Sequence, residues 1–106
     1  MLFARVVGNV VCTRKDEKLV GTKLLIVQPV DLTGAVKGQP LVAIDAVGSG
    51  EGELVLIVQG SSARQTRQTE SNPVDCTIFA VVDLVEQEGR LVFSKNKDFI
   101  PAGSNP

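Results

Sequence analysis

The sequence predicts an all-β domain, a small closed or nearly closed barrel of five to six strands with one short helix. Three observations carry this. Apolar residues recur in short runs, most of them alternating with polar ones at the period of a strand. Glycine, proline, asparagine and aspartate punctuate those runs at close intervals. The 106 residues suffice for one domain with a modest core and not for two ordinary ones.

Leu2 to Thr13 comes first, with Leu2, Ala4, Val6, Gly8, Val10 and Cys12 on one face and Arg5, Asn9 and Thr13 on the other, as in a half-buried strand. Arg14-Lys15-Asp16-Glu17-Lys18 mixes both signs, runs on to Gly21 and reads as a solvated loop. Leu24-Leu25-Ile26-Val27 opens a second strand. Pro29 confines its later part to an edge or a bulge, because proline has no amide to give a ladder. Asp31-Leu32-Thr33-Gly34 turns the chain toward a third strand, Leu41 to Val47, and a fourth follows from Leu54 to Gln59. The fifth is expected from Cys76 to Val85, with Cys76, Ile78, Ala80, Val82 and Leu84 on one face. Glu88-Gly89 then turns into a last short strand, Arg90 to Ser94. Between the fourth and fifth strands, Ser62-Ala63-Arg64-Gln65 has the spacing of a capping box, and Asn72-Pro73 ends the helix it starts. Residues 1–99 make the domain, and residues 100–106 read as a loose tail.

Strands in this number, with one helix after the fourth, fit a barrel of the oligonucleotide/oligosaccharide-binding (OB) type. Leu41-Val42-Ala43-Ile44 and Leu54-Val55-Leu56-Ile57-Val58 are apolar on both faces, and such runs need cover on both sides. A helix of about ten residues is too short to cover the outside of a barrel, so a second copy of the chain is expected to do so. The sequence therefore predicts an oligomer.

Composition narrows the function. Eleven Lys and Arg against twelve Asp and Glu give a net charge of −1, so no overall field draws the chain to nucleic acid or to an anionic membrane. Arg5 breaks the first apolar residues, no secretory signal is read, and no run approaches membrane-spanning length. Cys12 and Cys76 lack a C-x-x-C spacing and are expected as reduced core thiols in the cytoplasm. Histidine, tryptophan and tyrosine are absent and phenylalanine occurs four times, which removes the commonest general base and most of the stacking surface for single strands. Catalysis and cofactor binding are accordingly not predicted. Asp45, Asp75 and Asp83 are not read as a metal cluster, and a cation shared at a symmetry axis is the one arrangement left open.

The stretch Asp45 to Arg64, DAVGSGEGELVLIVQGSSAR, invites two chemical readings. Gly48, Gly50 and Gly52 are spaced by two and lead into a strand, whereas a dinucleotide site needs Gly-x-Gly-x-x-Gly leading into a helix. Glu51 and Glu53 would also repel phosphate. The serine pair fits a nucleophile elbow no better, since Arg64 stands where its last glycine belongs and no histidine is available. Small residues permit close approach of backbones, and Arg64 offers a rigid fork of donors to a neighbour's carbonyls or carboxylates. Assembly suits these residues better than chemistry.

Several motifs in order, Val6-Val7-Gly8-x-Val10-Val11-x-Thr13, Leu19-x-Gly21-x-Lys23-Leu24-Leu25, Val42-Ala43-x-Asp45-x-Val47-Gly48-x-Gly50-x-Gly52-Glu53, Gly60-Ser61-Ser62-Ala63-Arg64 and Pro73-Val74-Asp75, resemble the ethanolamine-utilisation/carboxysome vertex protein family of bacterial microcompartments. The resemblance implies a homopentamer at the five-fold corners of a polyhedral shell, a narrow central opening, hexameric shell proteins as neighbours, a cytoplasmic setting and no catalysis by this subunit. On that reading Asp45, Gly48, Ser49, Gly50, Gly60, Ser61, Ser62, Ala63 and Arg64 are candidates for the subunit interface or central opening. Two other readings compete. An OB-type nucleic-acid-binding module would need a basic, aromatic face, and a small enzyme would have to work through Asp45 or Cys76.

Overall fold

A computed structural model describes residues 1–60 and 75–102, and among these eight strands form two sheets. Strands β1 (Leu2–Val10), β2 (Leu24–Pro29), β3 (Leu41–Asp45), β4 (Leu54–Gln59) and β5 (Cys76–Val81) close a barrel in the order β1-β2-β3-β5-β4. Strands β3 and β5 run parallel, and every other neighbouring pair is antiparallel. This is the predicted OB-like barrel. Strands β6 (Leu84–Gln87), β7 (Arg90–Ser94) and β8 (Asp98–Phe99) make the second, three-stranded sheet. The solvated loop after β1 holds one 3-10 turn, Glu17–Leu19, started by Asp16, whose carboxylate accepts from the Lys18 amide at 2.8 Å. The helix predicted from Ser62 lies outside the described residues.

The barrel interior is built from short aliphatic side chains: Ala4 and Val6 from β1, Leu25 and Val27 from β2, Ala43 from β3, Val55 and Ile57 from β4, Cys76 and Ile78 from β5. A narrow barrel needs small residues where its strands converge, which explains alanine at two inward positions. Pro29 pairs with Ala4 on one side, and β3 reaches only as far as Val27 on the other, so proline sits where no partner asks for its missing amide.

Two bulges correct the expected faces. The register of β1 on β2 shifts between Val6 and Gly8, leaving Val7 as an extra residue. A bulge moves every later side chain to the opposite face. Ala4 and Val6 therefore enter the core, while Gly8 and Val10 turn outward; Leu2 is exposed and Cys12 lies beyond the strand, only partly covered. Likewise Phe79 is extra between the pairs Leu56–Ala80 and Ile57–Ile78. The expected fifth strand, Cys76 to Val85, is two strands in two sheets, because the chain leaves the barrel at Val82-Asp83. The Val82 amide still donates to Leu54 O at 2.9 Å, and one residue on, Asp83 O accepts from Lys95 of the second sheet at 2.9 Å. Leu84, expected on the apolar face, is consequently 55% exposed.

The second sheet covers one outer flank of the barrel. Leu54, Val82, Val30 and Phe93 form a second buried cluster, against which Phe3, Leu56, Val85 and Phe99 pack. So the chain itself caps the outside of β1 and β4, a cover that the sequence had reserved for another copy. Arg5 fastens the contact: it donates to Asp98 at 2.6 Å and to Gly52 O at 2.9 Å, with its guanidinium carbon 5.5 Å from the Phe99 ring centre. Phe99 also lies on Gly34, where a Cβ would come within 2.6 Å of the ring and φ is +86°. Only glycine fits there. Outside β3, Ile44 is covered by Leu19, Leu24 and Val58, but Val42 remains 51% exposed.

Candidate functional site: the glycine turn

Asp45 ends β3 with its side chain buried, and from there the chain folds back into β4. One carboxylate oxygen, Oδ1, accepts from the amides of Val47 and Gly48, both at 3.2 Å, and from Ser49 Oγ at 3.0 Å. An aspartate that bonds its own backbone two and three residues on makes a turn without help from other elements. Gly48 takes φ +80° at the tip, a left-handed conformation that favours glycine. Oδ2 has no hydrogen-bond partner; Lys23 Nζ is 3.9 Å away, close enough for Coulombic attraction and too far for a hydrogen bond. The same ammonium donates to Ser49 O at 3.0 Å, tying the turn to the start of β2.

The second half of the turn is pinned as firmly. Glu53 Oε1 accepts from the Gly50 amide at 2.7 Å, and Oε2 pairs with Lys95 at 3.1 Å. The amide bond, then the lysine, hold the Glu53 carboxyl below the usual carboxylate range. Gly52 donates to Val6 O at 2.8 Å and Val6 to Glu53 O at 3.0 Å, which stitches the turn to β1. An anion-binding turn keeps its amides free for the ligand. Here carboxylates of the chain itself occupy those of Val47, Gly48 and Gly50, so the turn is closed to phosphate.

Of the residues singled out in the sequence, Asp45, Gly48, Ser49 and Gly50 come together in this one turn. Asp45 and Ser49 are buried supports, 3% and 1% exposed, and the presented surface is Gly48 with its neighbour Val47, 44% exposed. Gly60 does not join them. It follows β4 at the opposite end from Gly52, a strand length of about 20 Å away, with φ +66° and its amide donating to Asp75 O at 2.8 Å. Ser61, Ser62, Ala63 and Arg64 lie outside the described residues. Sequence reasoning did not assign Lys23, Val47, Glu53 or Lys95 to the site, although the first three stand in the motifs that carry the resemblance and Glu53 is an acid three residues after a turn glycine.

Nothing in this arrangement activates a nucleophile. Ser49 Oγ donates to a buried carboxylate and no histidine exists in the chain. Burial, helped by the charge of Asp75, pushes the Cys76 thiol up to about 11. A thiol so raised is ionised at roughly one part in a thousand at pH 8. Alkylation of the folded protein at that pH is therefore expected to stop at one adduct, on the part-exposed Cys12, as read by intact mass. A second adduct formed at the same rate would show that Cys76 is open to solvent. Among the described residues no group of three or more Cys, Asp or Glu is placed to hold a metal ion.

Comparison with known proteins places this geometry. The family described as "Ethanolamine utilisation protein EutN/carboxysome" matches residues 1–83. The bacterial microcompartment shell vertex protein EutN of Salmonella typhimurium is 46% identical over 95 residues, covering 90% of this chain and 96% of that protein. The carboxysome shell vertex protein CcmL of a Nostoc species is 44% identical over 100 residues, 93% of this chain and 99% of the relative. The solved structure of Nostoc CcmL superposes with a TM-score of 0.85 at 46% identity, covering 90% of this chain and all of that one. The GrpN pentameric microcompartment shell protein of Rhodospirillum rubrum superposes at 0.74 with 40% identity, over 82% of this chain and 99% of its own. Motifs, barrel order and these similarities agree, and the chain belongs to the EutN/CcmL family.

Proposed function

We propose that this chain is a structural subunit that forms pentamers and closes the five-fold vertices of a bacterial microcompartment shell. The observation that carries the reading is likeness over nearly the whole chain to proteins named shell vertex proteins, one of them solved as a pentameric shell protein. The subunit works by shape. Its glycine turn is locked by its own carboxylates, its buried thiol is held protonated, and its contribution is a rigid block with fixed edges. Hexameric shell proteins are its neighbours in this reading, and the shell stands in the bacterial cytoplasm.

The OB barrel also serves nucleic-acid binders, which use the face of strands β2 and β3. Outward on that face this chain places Leu24, Ile26, Gln28, Val42 and Ile44. These offer neither an aromatic ring for stacking nor a cation for phosphate. The face is built for aliphatic contact.

Native mass spectrometry tests the assembly. The expected species is five chains of 11.2 kDa, about 56 kDa, at micromolar concentration. A stable monomer under the same conditions would overturn the reading.

A further inference from the structure

The two sheets are joined to each other differently from the strands within them. Neighbouring barrel strands share backbone ladders, whereas among the described residues no backbone hydrogen bond runs from residues 84–100 to a barrel strand. The chain crosses between the sheets at Val82-Asp83, and neither residue belongs to a strand. Their backbones are tied to opposite sides: the Val82 amide donates to Leu54 O of the barrel at 2.9 Å, and Asp83 O accepts from the Lys95 amide of the second sheet at 2.9 Å. Two loop residues between two packed bodies have the anatomy of a hinge.

Among the described residues the rest of the contact is made by side chains. Val85, Phe93 and Phe99 meet Phe3, Val30, Leu54 and Leu56 in the buried cluster between the sheets. Two ion pairs close its rim, Lys95 on Glu53 at 3.1 Å and Arg5 on Asp98 at 2.6 Å. Asp98 stands at φ +62°, a left-handed conformation that is uncommon outside glycine and is kept for other residues by what surrounds them. Its Oδ1 accepts from the Phe99 amide at 2.8 Å and from Arg5 of β1, and the same Arg5 lies against the Phe99 ring. One barrel residue thus clasps both residues of β8. The Asp98 side chain is 58% exposed, and an ion pair so placed shifts an equilibrium by about fivefold at most. That is too little to weld two sheets and enough to set how often they part.

We propose that β6, β7 and β8 form a flap that opens and closes as one unit on the Val82-Asp83 hinge while the barrel stays folded, with Arg5 on Asp98 as its latch. The closed state dominates, and in it the subunit is a rigid block. Opening bares Phe3, Leu54 and Leu56 on the barrel. Three short strands lifted from that apolar face have nothing to pack on and lose their own ladder, so the amides of the second sheet report the opening.

Native-state hydrogen exchange at one protein concentration is the test. Amides of the second sheet, such as Lys95 bonded to Asp83 O and Ile100 bonded to Val92 O, are expected to exchange about tenfold or more faster than those of β2 and β5. They should also respond less steeply to added urea, because opening the flap exposes less surface than unfolding the chain. Ile57→Val weakens the barrel interior alone, so it is expected to speed β2 and β5 and to leave the second sheet unchanged. Equal acceleration of both would mean that the second sheet opens only when the whole chain unfolds, and would overturn the flap. Arg5→Met, Asp98→Asn and the two together address the latch. Each single change is expected to speed the second-sheet amides about three- to fivefold, and the pair no more than the larger single effect, since both remove one shared interaction. Unchanged rates in the single variants, or effects that multiply in the pair, would overturn Arg5 on Asp98 as the latch. Should a variant not fold, the urea dependence of the wild type decides, and one common slope for both sheets would leave no flap.

Discussion

Aspartate in place of Ile57 is expected to leave no cooperatively folded chain at room temperature. Ile57 is fully buried at the middle of β4, opposite Leu2 on β1 and Ile78 on β5, where it fills the barrel between Val6, Val27 and Ala43. Truncating such a side chain alone costs about 2–5 kcal/mol, because a closed barrel collapses poorly around a void. A carboxylate left without a partner in that interior adds several kcal/mol more. A small domain has about 5–15 kcal/mol in total, and one of 106 residues belongs in the lower part of that range. The loss exceeds the reserve. Ile57→Val, which removes one methyl, should cost only about 0.5–1.5 kcal/mol and serves as the control. Urea titrations followed by circular dichroism compare the three proteins at one concentration, since ring formation adds stability that depends on it. A sigmoidal transition for Ile57→Asp near the wild-type midpoint would show that the barrel interior has been misplaced.

How far the sequence could be read depends on whether each feature is local. Strands β4 and β7 have the bounds expected from their apolar runs, because each run is closed by turn residues on both sides. Glu88-Gly89 was legible for the same reason: with φ +54° and +76° it is a two-residue turn of the twist that hairpins need. The bulges at Val7 and Phe79 were not legible. A bulge is a mismatch in register between two strands, and nothing in either strand alone records it. The split between β5 and β6 hid in an unbroken alternation, in which Asp83 looked like one more outward residue. Part of the outer cover was misassigned because Val92 and Phe93 looked like the core of a last strand and Phe99 like the end of the domain, whereas all three belong to a sheet that caps the barrel from outside.

The glycine turn shows the same division. Its closeness to Asp45, Gly48, Ser49 and Gly50 follows from their spacing and was visible. That Asp45 and Ser49 face inward could not be seen, since a buried aspartate looks like an exposed one until its donors are placed. In a low-dielectric interior a carboxylate persists only with such donors around it. Here they come from Val47, Gly48 and Ser49, which makes Asp45 a support for the turn and leaves Val47 and Gly48 as its exposed part.

Shells assembled without this chain, or any second vertex protein, are expected to remain open or to grow into elongated forms. The argument is geometric. In the proposed shell the faces are hexagonal tiles, and a hexagonal sheet can lie flat or roll into a tube but cannot close in every direction without five-sided positions. A rigid pentamer supplies those positions. Each of its edges meets a neighbouring tile through a small contact, and five weak contacts engaged together bind far more tightly than one, since every contact after the first is intramolecular. Occupancy of the corners should therefore fall steeply when the pentamer is broken into single subunits, even if each keeps its fold. That gives the experiment a graded control: any variant of this chain that keeps its fold but runs as a monomer should fail to seal shells as completely as omission does. Enclosed enzymes should keep their activity while small intermediates leak, because the defect lies in the wall and not in the cargo. Electron microscopy of assemblies made with wild type, with the variant and with neither is the measurement. Equally sealed and equally faceted shells in all three would remove the corner-closing role.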